Sequence, residues 1–93
     1  MESFKEQALD ILKANRGIKS SARDNVFKPV INSVIYELEH IQGVTIDVEN
    51  QSLLLFIVDY ADYRYDNRDS PAMPRHLQWR MHNLVLSGAK DGV

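Results

Sequence analysis

Asp59, Asp62 and Asp66 fall at i, i+3 and i+7, a spacing that lines three carboxylates along one helix face. Such a row is able to hold Mg²⁺ or to serve acid–base work. It lacks the Glu-x-x-His motifs that di-metal helical bundles bring from partner helices. Arg64, Arg68, Arg75 and Arg80 lie nearby in the chain, so ion pairing is the reading this spacing favours. Three histidines, His40, His76 and His82, are also present. His76 and His82 are six apart, about 600° of helical rotation, which leaves them roughly 120° off a shared face. Paired helical ligands need one face, as i, i+4 provides. No metal site and no cofactor are therefore expected. The chain has no cysteine, which removes disulfides, thiolate nucleophiles and thiolate zinc sites together and suits the cytoplasm. No Gly-rich phosphate loop, Gly-x-Ser-x-Gly elbow or His-Glu-x-x-His is present. The expectation is a non-enzyme without catalytic residues.

Tyr60, Tyr63, Tyr65 and Trp79 share the stretch that holds the arginines. Tyr, Trp and Arg are the anchor types of protein interfaces, and the same residues also suit packing between two neighbouring helices. Tyr60, Arg64, Tyr65, Arg68, Arg75, His76, Trp79 and Arg80 are the candidate interface.

These residues need elements to position them, and 93 residues leave room for one domain and one core. A chain of this length buries roughly 60–65% of its unfolded surface, which predicts modest stability alone and favours docking on something larger. The longest apolar run, Leu53 to Val58, falls far short of the ~20 residues that span a bilayer. The opening Met1-Glu2-Ser3-Phe4-Lys5-Glu6 is too polar for a signal peptide. A soluble protein made without export is expected, with no membrane partner. Net charge is −2, which gives no global attraction to phosphate.

Helical periodicity predicts four helices, near 4–15, 21–41, 51–67 and 74–87. Ser3 and Glu6 form a capping box, Phe4, Ala8, Ile11 and Leu12 form the first stripe, and Gly17 suits a left-handed stop. Ser21 with Asp24 gives a weaker start for the second helix. Its apolar phase from Val26 to Ile41 runs unbroken past Pro29, which predicts one helix with an irregular first turn. Gly43 closes it. Residues 44–49 alternate as a short strand would, and a 44–48/53–58 hairpin competes with a third helix. Asn50 as N-cap and eighteen residues from Gln51 without Gly or Pro favour the helix. Pro74 suits the opening position of the last helix, Gly88 its end, and 89–93 a frayed tail. The predicted class is all-α, a single four-helix domain over 1–93, with an extended segment or hairpin near 44–58 as the variant. Phe27, Ile31, Val34, Leu38, Leu54, Ile57, Val58, Leu77, Met81 and Leu84 are expected in one core. The amphipathic stripes leave no apolar face spare on this reading, so the isolated chain is expected to be monomeric.

Asp59-Tyr60-Ala61-Asp62-Tyr63-Arg64-Tyr65-Asp66-Asn67-Arg68, followed by Met73-Pro74-Arg75-His76-Leu77-Gln78-Trp79-Arg80-Met81-His82-Asn83-Leu84, resembles the head–tail connector (head-completion) proteins of tailed bacteriophages and prophages. In that family a helix rich in Tyr, Arg and Asp near its end precedes a loop and a final helix. The resemblance is strongest over 53–86 and softer over 3–43; Pro29 departs from the pattern. It implies a structural subunit of the virion's head–tail junction, made in the bacterial cytoplasm. Such a subunit docks as a ring under the portal protein beside copies of itself and extends the DNA channel without binding DNA specifically. It then presents a surface for the next completion or tail protein. No catalytic residue carries over. The competing readings are a small helical DNA-binding regulator, with Gln78 and Asn83 as base readers beside Arg75 and Arg80, and a metal-dependent hydrolase using Asp59, Asp62 and Asp66.

Overall fold

The structure, a computed structural model, describes residues 2–67, 69 and 72–91, the last five by their backbone alone. It comprises four helices: α1 (Glu2–Asn15), α2 (Asp24–His40), α3 (Gln51–Asp66) and α4 (Arg75–Asp91). No strand occurs among the described residues, and no described helix is long and apolar enough to cross a membrane. The chain is an all-α four-helix domain.

α3 is the central helix. It packs against α1, α2 and α4, and α1 also packs against α2, whereas among the described residues α4 packs against α3 alone. Leu53, Leu54, Phe56, Ile57, Val58, Tyr60 and Ala61 are buried along α3, as a helix covered on several sides requires. Phe4, Ala8, Leu9 and Leu12 of α1 and Phe27, Ile31, Val34, Ile35 and Leu38 of α2 close the core from the other side. Eight of the ten expected core residues are buried; Met81 and Leu84 of α4 are only partly covered. Leu77, 1% exposed, is the anchor that α4 sinks into the core.

Two helix stops follow from glycine. Gly17 (φ 70°) lets Ile18 N–H reach the Lys13 carbonyl at 2.9 Å and its own N–H reach the Ala14 carbonyl at 3.1 Å, which satisfies the end of α1. Gly43 (φ 72°) turns the chain after α2, so that Val44 N–H meets the Leu38 carbonyl at 2.7 Å. Pro29 lies inside α2. It sits in the second turn, where it deletes one i→i−4 bond, to the carbonyl of exposed Asn25.

The starts depart from expectation. α1 is already helical at Glu2, so Ser3 lies inside it rather than capping it. α2 begins at Asp24 behind Arg23, which makes no side-chain cap bond; Ser21 contributes only its carbonyl, to Asp24 N–H. α3 begins as expected: Asn50 accepts from Leu53 N–H at 3.1 Å. The hairpin variant does not form. With 53–58 in α3, residues 44–49 have no strand to pair with, and the segment is held by burying Val44 and part of Ile46. Pro74 precedes the first helical residue and its carbonyl accepts from Leu77 and Gln78. α4 runs through Gly88 to Asp91, so the stop expected at Gly88 does not hold, and residues 92 and 93 of the expected tail lie outside the described residues. A mid-helix glycine costs about 1 kcal/mol and does not by itself end a helix.

Candidate interface on α3 and α4

Three arginines tie the helices together, and each reaches an acid on a different element. Arg16, just past α1, donates from Nε to Asp62 Oδ1 at 2.6 Å and pairs through Nη2 with Asp66 Oδ2 at 2.9 Å. Its guanidinium lies 4.7 Å from the ring centre of Tyr65, which itself packs 4.8 Å from Phe27. Partial burial opposes the Arg16 charge, but hydrogen bonds and attraction from Asp66 and Asp62 outweigh it and raise its pKa further. Arg80 of α4 donates to Asp59 Oδ2 at 2.6 Å and lies 5.6 Å from the Phe56 ring centre. The aspartate row is therefore divided between two cations from flanking elements. No group of three metal-ligating side chains converges among the described residues.

The third arginine belongs to a tighter cluster. Arg64 donates to Glu37 Oε1, to Tyr60 Oη at 2.6 Å and to Ser33 Oγ at 3.0 Å. Tyr60 Oη in turn donates to Glu37 Oε2 at 2.7 Å. Burial, then the hydrogen bond to Glu37, push the Tyr60 hydroxyl above the usual tyrosine range, and Arg64 offsets only part of this. This cluster locks α3 to α2.

Beside it runs an open groove of about 880 Å³ between the C-terminal end of α2 and α4. Ile41, Trp79 and Val85 form its apolar walls, Tyr60 lies in its floor, and Arg75 and His82 line it from α4. Trp79 is 64% exposed and Ile41 69%. Leu86, half exposed, extends the same surface of α4, and the Trp79 and His82 rings stack at 6.0 Å.

The chain matches no family model, no curated protein and no solved structure.

The eight candidate interface residues thus separate. Tyr60, Arg64 and Tyr65 are engaged within the fold, and Arg80 is held half-buried by Asp59. Arg75, His76 and Trp79 face solvent. Arg68 lies outside the described residues. Sequence reasoning missed Arg16, Glu37 and Ile41. Glu37 was detectable as an acid beside Val34 and Leu38 on the edge of the apolar stripe. Ile41 was assigned to that stripe, but α2 ends at His40, and Ile41 emerges into the groove. Nothing in local spacing marks Arg16.

Proposed function

We propose that this chain is a structural adaptor subunit of the phage head–tail connector type. It docks as a ring under the portal, extends the DNA channel and presents a surface for the next completion or tail protein. The observation that carries this reading is the two-sided character of α4. One side packs on α3 through Leu77, Met81 and Leu84, while Trp79, Val85 and Leu86 stay in solvent. Apolar surface held in water by a helix that packs on a single neighbour is what a docking element needs. The resemblance over 53–86 supplies the kind of assembly. A net charge of −2 suits a channel wall that lets DNA pass without gripping it.

The test is co-sedimentation with the portal ring of the same phage or prophage. The wild-type chain is expected to travel with the portal, and Trp79→Ala to lose most of that association while keeping its helical circular dichroism. A chain that ignores the portal and instead shifts duplex DNA in a salt-dependent way would overturn the reading.

A further inference from the structure

We infer that the α2–α4 groove takes an acidic amphipathic helix from a partner protein, about three turns long. The inference rests on the adaptor reading in one respect, that this face is the docking face. Shape comes first. Along α4 the groove runs from Arg75 to Val85, about 15 Å at 1.5 Å per residue, and its volume suits a helix half sunk between two walls. The walls are apolar, as the stripe of an amphipathic helix requires.

Charge selects the occupant. Among the described residues Glu37 is the only acid lining the groove, and Arg64 and Tyr60 already engage both of its oxygens. Arg75 lines the opposite side, is exposed, and makes no ion pair among the described residues. Gln42, Gln78 and His82 complete the polar lip. The groove therefore offers an uncompensated cation beside apolar walls, which complements carboxylates flanking an apolar stripe. A second copy fits poorly. Facing α4 surfaces would set Arg75 and His82 against their own kind. The exposed acids of α1, Glu2, Glu6 and Asp10, are interleaved with Ser3 and Gln7 rather than an apolar stripe. Duplex DNA would find one free arginine and walls that offer nothing to phosphate.

Trp79 is the chain's single tryptophan, so its fluorescence reports on the groove directly. The experiment titrates the full chain with a synthetic 18-residue helix, designed with leucine along one stripe and glutamate on its flanks, against the same peptide with lysine flanks. A saturable blue shift is expected with the glutamate peptide and at least tenfold weaker binding of the lysine peptide. Arg75→Glu, a change at an exposed position, is expected to cut that preference at least tenfold, with circular dichroism confirming the fold. No saturable shift up to ~1 mM peptide, the weak end of measurable affinity, would overturn the proposal. Equal binding of the two peptides, or an unchanged preference in Arg75→Glu, would do the same. So would a blue shift driven by protein concentration alone, which assigns the groove to a second copy, or by duplex DNA. A chain that binds the glutamate peptide but not the portal keeps this inference and loses the connector role; the opposite result does the reverse.

Discussion

Arg64 makes three side-chain contacts, two across the α2–α3 seam to Ser33 and Glu37 and one to Tyr60, a turn earlier on α3. Removing it leaves Glu37 largely buried with only the Tyr60 hydroxyl as donor. Arg64→Ala is expected to cost about 2 kcal/mol in urea unfolding, the scale of a lost hydrogen bond to a charged group; full retention of stability would show the cluster to be idle. Tyr60 predicts a pH effect whose sign is set by its neutral form being the one the fold favours. Its folded pKa is raised above the unfolded value of about 10. The associated stability is present below that value and lost as pH rises through the raised one. Tyr60→Phe removes this contribution. Thermal midpoints compared from about pH 9 upward are expected to fall more steeply in the wild type than in the variant, and parallel curves would refute the assignment.

For a helix, length and capping decided more than local pattern. Leu53 to Val58 suits a strand or a helix, and Asn50 with the unbroken run behind it resolved the choice toward α3. Leu54, 2% exposed in that helix, is expected to lose 2–5 kcal/mol on change to Ala, measured by chemical denaturation. A cost under about 0.5 kcal/mol, the scale of a surface substitution, would place it outside the core. The cap patterns at Ser3 and Ser21 misled because a capping residue competes with any neighbouring start that packing prefers. Leu55 shows the limit of reading an apolar run. It lies in the middle of the apolar run from Leu53 to Val58, yet it is 49% exposed because α4 flanks only one side of α3.

For the whole molecule, the expectation that no apolar face is spare does not survive. Ile41, Trp79, Val85 and Leu86 are all exposed on α4 and the end of α2. The small size of this patch is what favours a monomer. These few side chains fall well short of the roughly 20–30 residues a side of a standard stable interface. We therefore expect a predominantly monomeric chain in sedimentation at ~100 µM, a concentration that reveals weak association, with ring formation requiring a portal template that raises local concentration. A closed ring formed by the isolated chain would end the templating idea while leaving the proposed connector role standing.

Periodicity, Asn50 and the two turn glycines determined the all-α class, the four helices and most of the core from the sequence alone, because each acts through neighbours within a turn or two. Which arginine meets which acid was decided only by tertiary structure. Arg16 meets Asp62 across 46 positions of chain, and Arg64 meets Glu37 across 27; no local spacing encodes such distances. Tyr60 passed from candidate surface anchor to core hydroxyl for the same reason. The exposure of Trp79 depends on the direction in which α4 leaves α3, and that direction is set by where Leu77 inserts into a core built by the other three helices.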